Sequence, residues 1–177
     1  MKLSDLPPQE RARAWAATAI HESGHAVVAA LYGVRIKAVE VTEDDPDHYG
    51  VTTYAGTLSA SAEGAVTYAG PYAEARHLYG ARPSWPEITS VLAYQCACDG
   101  SGDYDWLVAS GGPIPRDVER LLSTCWPAVV TIARHLNEHG SADHTVVCAA
   151  LGIPEVDGHR SAAASAIRAG ISPVSVT

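Results

Sequence analysis

Along the 177 residues, the spacing of apolar positions changes period several times. After Pro7-Pro8, a pair suited to a helix's first turn, the residues Ala17, Ile20, Gly24, Val27, Val28 and Leu31 recur at helical spacing. This predicts a helix to about Tyr32, ended by Gly33. "VRIKAVEVT" then alternates with period two and is followed by the turn-rich "EDDPDHYG" and by "VTTYAG", which reads as two short strands joined by an acidic loop. A second helix is expected from Ser59 or Ser61 to Leu78, with Pro71 predicting a kink. Residues 81–100 are irregular except for a short helix around "PEITSVLAYQC", and "DGSGDYDWLVAS" reads as a loop feeding a short helix. "RDVERLLSTCWPAVVTIARHLNEHG" is the clearest periodic segment of the second half, with Pro127 expected to bend or split it. "SADHTVVCAAL" predicts a final helix capped by Ser141. The pattern gives a mainly α protein with a small β-hairpin or short sheet (α+β): one domain over 1–152 and an Ala/Ser-rich tail, 153–177, expected to fray or be disordered.

Composition narrows this picture. Apolar residues make up 47% of the chain, enough for a core, but there is no Phe, so Trp, Tyr, Leu, Val and Ala must fill it. Twelve basic against twenty acidic residues, with no basic cluster, argue against a nucleic-acid partner. No run of eighteen apolar residues predicts a membrane span, and the N-terminal stretch lacks the apolar core of a signal peptide. Four cysteines in a chain of this size do not form a disulfide framework, so a cytoplasmic protein with reduced thiols is expected. Cys96 and Cys98 read as buried thiols rather than as half of a metal site.

The chemistry lies in "WAATAIHESGHAVVAALYG". On a helix, His21 and His25 at i and i+4 project from one face and can share a zinc ion, while Glu22 stands beside them as general base for a zinc-activated water. This is the H-E-x-x-H pattern. Apolar neighbours make unpaired polar groups costly there, a conflict that a metal resolves. Catalytic zinc usually takes three protein ligands. Position 29 is Ala, so the third comes from elsewhere in the chain, a carboxylate being the natural donor.

"AIHESGHAVVAALYG" resembles the zinc helix of FtsH-type peptidases, the protease domain of membrane-anchored ATP-dependent zinc proteases. "VEVT…HYGVTTYAG" is similar to the strand pair beside that family's active site, and "YAGPYAEARHLYG" to its second helix. "SGDYDWLVAS" resembles the loop that carries its aspartate ligand, and "DVERLLSTCWPAVVTIARHLNEHGSADHTVVCAAL" its C-terminal helices. Over residues 15–152 the resemblance implies a helical zincin-like fold and a zinc-dependent metalloendopeptidase. It puts the third ligand on Asp105 or Asp103, tipping slightly to Asp105, which has an aromatic neighbour and Ala109 four residues later. Glu74 is open as a ligand, as support for a ligating histidine, or as a structural residue. The family also carries an ATPase module and membrane helices. This sequence holds no G-x-x-x-x-G-K-[ST] and segment 81–100 has no counterpart, so an ATP-independent domain is expected, its substrate a peptide or unfolded polypeptide. A separate ATPase or self-oligomer stays open as partner, with no nucleic acid and no membrane.

The remaining candidates read as bland. His48 is expected to be exposed, His77, His135, His139, His144 and His159 to be non-ligands, and Trp106 and Trp126 to be core. "HYGVTTYAG" offers an edge strand on which a peptide could add. Two other functions compete with the peptidase: a zinc-binding regulatory or interaction module derived from a peptidase, and a metal-free helical interaction protein.

Overall fold

The computed structural model describes residues 3–42, 49–95, 102–110 and 116–171. His48, Cys96 and Cys98 lie outside the described residues, and Trp106 outside the described side chains. Seven α-helices and three strands are described: α1 (Pro8–Leu31), β1 (Arg35–Val41), β2 (Gly50–Ala55), α2 (Ala60–Tyr79), α3 (Trp85–Gln95), α4 (Asp103–Ser110), α5 (Arg116–His139), β3 (Ser141–Ala142), α6 (His144–Leu151) and α7 (Ala162–Ala169). The architecture is mainly helical with one small antiparallel sheet, an α+β arrangement. No helix among the described residues is long and apolar enough to cross a membrane.

Helix α1 is the axis. From Ala19 to Leu31 every residue is buried, so its second half is enclosed rather than amphipathic. Helices α2, α5 and α6 and strands β1 and β2 all pack on it. Gly24 sets the α1–α2 distance: a Cβ there would lie 2.6 Å from the Ala69 carbonyl oxygen and 2.8 Å from the Ala73 Cβ. Ala65, Ala69 and Ala73 continue this small-residue seam along α2. Helix α5 contributes the larger side chains, Val118, Leu121, Leu122, Val129, Ile132 and Leu136, on one stripe. Prolines 71 and 127 interrupt neither α2 nor α5, each of which runs as one helix. Half-buried Trp126 packs on the core, with the Arg76 guanidinium 4.4 Å over its ring. Burial pushes the Cys125 thiol up to about 12, so it stays protonated.

The sheet order is β2-β1-β3. Val39 sits at its centre, opposite Thr52 on one side and Ala142 on the other, and β2 forms one edge. The expected hairpin therefore gains a third, two-residue strand. This displaces the predicted cap as well: Ser141 belongs to β3, and Asp143 caps α6 by accepting from the Val146 N–H at 3.1 Å.

The expectation of a frayed tail is not met over 153–171. Ser161 caps α7, and Ala164 and Ile167, three apart, bury themselves against the core. Arg168 Nη1 donates to the Leu31 carbonyl at 3.0 Å, closing the last turn of α1. Composition hid this helix because alanine and serine dominate it and only two positions carry the packing.

Candidate metal centre

His21, Glu22 and His25 lie in the enclosed half of α1, at 5%, 6% and 8% exposure. Each imidazole is held from behind. His21 Nδ1 is 2.9 Å from Glu74 Oε2 on α2, and His25 Nδ1 is 2.7 Å from the Val66 carbonyl of the same helix. A carboxylate and a carbonyl only accept, so Nδ1 is protonated in both rings, and each ring when neutral turns its Nε2 lone pair forward. Those two Nε2 atoms are 2.9 Å apart. Asp103 Oδ2, at the start of α4, completes the triangle at 2.9 Å from His21 Nε2 and 3.3 Å from His25 Nε2.

With both rings neutral, three lone pairs would face one another and repel; a proton or a metal ion between them relieves this. The electrostatics agree. Burial alone would depress the His21 pKa, yet hydrogen bonds to Asp103 and Glu74 and their charges raise it well above 6.5. His25 is raised too, burial and the His21 charge being outweighed by Asp103 and helped by Glu22. Burial works against ionisation of Asp103, but the two imidazoles hold its carboxyl well below the usual carboxylate range. The cluster is built for positive charge.

Size is the second test of fit. A tetrahedral zinc with bonds of about 2.0 Å has ligand–ligand edges of about 3.3 Å, and the triangle has edges of 2.9, 2.9 and 3.3 Å. Gly70 of α2 keeps the space in front of the rings open: a Cβ there would collide with His25 Nε2 and stand 2.6 Å from His21 Nε2. Two imidazoles and a carboxylate are the donor set that zinc takes at catalytic sites. The residues fit the ion.

Of the two aspartates, Asp103 meets the histidines and Asp105 does not belong to the cluster. The reason is helical geometry: two residues along an α-helix turn by about 200°, so only one of the pair can face α1. Glu74 backs His21 rather than joining the triangle. Glu22 turns to the sheet, where Thr52 Oγ1 of β2 donates to its Oε2 at 2.7 Å. Thr52 and Gly70 were missed in the sequence, although a glycine beside an in-helix proline was a usable signal.

The other described histidines stay apart from the cluster. His144 is buried and satisfied, accepting from the Ile36 N–H at 3.3 Å and donating to the Glu155 carbonyl at 3.0 Å. His159 packs over Gly33, whose φ of +92° excludes a side chain.

Residues 7–81 match the family model described as Peptidase M50B-like. No curated protein matches the chain. The matched stretch contains α1, β1, β2 and α2, hence His21, Glu22, His25, Gly70 and Glu74, and it ends before Asp103. It supports a metallopeptidase-type domain, of the M50 kind rather than the FtsH-type kind to which the sequence was likened.

Proposed function

We propose that this chain is a zinc-dependent peptidase of the H-E-x-x-H kind, acting on peptides or unfolded polypeptides. His21 and His25 would hold the ion through Nε2 and Asp103 through its carboxylate. Zinc bound there supplies Lewis acidity, enough to bring the pKa of a coordinated water to about 7 and to polarise a carbonyl. The chain's own residues supply the rest. Glu22 takes the proton from the attacking water on a carboxylate oxygen and returns it to the departing amine. Glu74 and the Val66 carbonyl keep both rings in the tautomer whose lone pair faces the ligand position. Edge strand β2, which carries the partner of Glu22, offers backbone groups to an extended substrate.

The single observation that carries this reading is the convergence of the two Nε2 atoms and Asp103 Oδ2 in front of a side-chain-free Gly70. Glu22→Gln tests it, because the substitution removes a base and no ligand. Cleavage of a peptide library should fall about 10²–10⁴-fold, with about one zinc per chain retained. Zinc in both proteins with cleavage in neither would favour the regulatory module instead.

A further inference from the structure

We propose that Thr52 is the positioning residue for the general base: its hydroxyl fixes the Glu22 carboxylate so that one oxygen is anchored and the other is left for proton transfer. The kinetic part of this proposal rests on the peptidase reading; the contact itself does not. Glu22 is buried, has three side-chain torsions, and lies close enough to His25 for its charge to act on the ring. Unrestrained, such a carboxylate is drawn toward the cation its neighbours bind and becomes a ligand instead of a base.

Two features of β2 prevent that. Thr52 Oγ1 lies 2.7 Å from Glu22 Oε2 and 3.1 Å from the Glu22 carbonyl oxygen. A hydroxyl has one proton to donate, and the shorter, charge-assisted contact takes it. The hydroxyl thus ties the end of the side chain to a point fixed against its own backbone. Two residues earlier on the same face of the strand, Gly50 leaves a slot: a Cβ there would lie 2.6 Å from Glu22 Cγ and 2.7 Å from Oε1. The side chain therefore runs along bare backbone at Gly50 and ends on the hydroxyl of Thr52. Oε2 is the oxygen that Thr52 holds; among the described residues Oε1 carries no hydrogen bond.

Thr52 is itself well placed to hold something still. It is β-branched, so its χ1 is restricted, and it stands opposite fully buried Val39 at the centre of the sheet. Its neighbour Thr53 provides an internal control. That residue points to the opposite face, is exposed, and has its hydroxyl 3.4 Å from the Ala38 carbonyl.

The experiment compares Thr52→Val, Thr52→Ser and Thr53→Val in the full chain loaded with zinc. Thr52→Val should lower kcat about 10- to 100-fold, the cost of a misplaced catalytic group. KM should stay within about twofold and zinc remain at one per chain. Thr52→Ser should restore kcat to within about threefold of the starting protein, and Thr53→Val should leave it unchanged. Unaltered kcat in Thr52→Val, a serine variant as slow as the valine one, or loss of zinc from Thr52→Val would each overturn the proposal. A second readout needs no activity. In metal-free protein, the drop in melting midpoint caused by Thr52→Val should shrink to less than half in a Glu22→Ala background, the non-additivity of a coupled pair. Additive shifts would sink the proposal even if the peptidase reading stands. Coupled shifts without any cleavage would sink the peptidase reading and the kinetic role, leaving only the contact.

Discussion

Two helices of the same length, α1 and α5, each carry a pair of histidines four residues apart. The rings of His21 and His25 are 4.7 Å between centroids, those of His135 and His139 4.3 Å. By spacing alone the second pair is as good a chelate as the first. What differs is the company. The α1 pair is enclosed, with Glu74 and Val66 fixing its tautomers from α2 and Asp103 closing the triangle from α4. The α5 pair lies at the C-terminal end of its helix, His139 in the last turn with its side chain 57% exposed and Glu138 3.8 Å away as its charged neighbour. There a histidine interacts favourably with the helix C-terminus and needs no metal. A helix can supply two ligands by periodicity; the third ligand and the orientation of the rings come from other parts of the chain.

The sharpest way to break this comparison is to remove ligands from each pair. Asp103→Ala should abolish stoichiometric zinc binding, whereas Asp105→Ala, or His135→Ala with His139→Ala, should leave about one zinc per chain by elemental analysis. Retention of zinc by Asp103→Ala would mean that the buried pair has no more of a site than the exposed one. Next in size is Gly70→Ala. In an ordinary helix this exchange stabilises by roughly 0.5–1 kcal/mol. Here the methyl group would land between the rings, so zinc binding should be lost and stability should fall by about 1–3 kcal/mol through overpacking. Urea melts with and without chelator would coincide for the variant and separate for the parent.

Smaller effects sharpen the contrast. Glu74→Gln keeps a hydrogen-bonding group behind His21 but removes its charge, and zinc affinity measured by chelator competition should drop about 10–100-fold. The pH dependence follows from the direction of the histidine shifts. Because His21 and His25 hold protons above the usual imidazole value of 6.5 in the metal-free fold, protons compete with the ion at higher pH than ordinary imidazoles would allow. Zinc affinity should therefore still be rising as pH passes 6.5, by up to about tenfold per pH unit for each proton displaced. A plateau already reached at pH 6 would contradict the cluster's electrostatics.

Much of this was legible in the sequence, and what was not has identifiable causes. The i,i+4 histidines, the strand pair and helices α1, α2 and α5 follow from local periodicity, which needs no knowledge of neighbours. The choice between Asp103 and Asp105 does not, because both suit the first turn of a short helix and only the packing of α4 against α2 decides which faces α1. Thr52 is hidden for a related reason. In "GVTTYA" two threonines alternate, and a one-residue change of register would exchange their faces. The matched family stretch reaches both strands and both helices of the site, yet the aspartate that completes the triangle lies beyond it.

The bond from Arg168 to the Leu31 carbonyl also bears on how the protein is made. It joins residues 137 positions apart. At a synthesis rate of about 5–20 residues per second, the final turn of α1 waits on the order of ten seconds for its arginine after leaving the ribosome. Closure of the helix that bears His21 and His25 is thus a late event of biogenesis, and a nascent chain released before that arginine would expose the open end of its central helix.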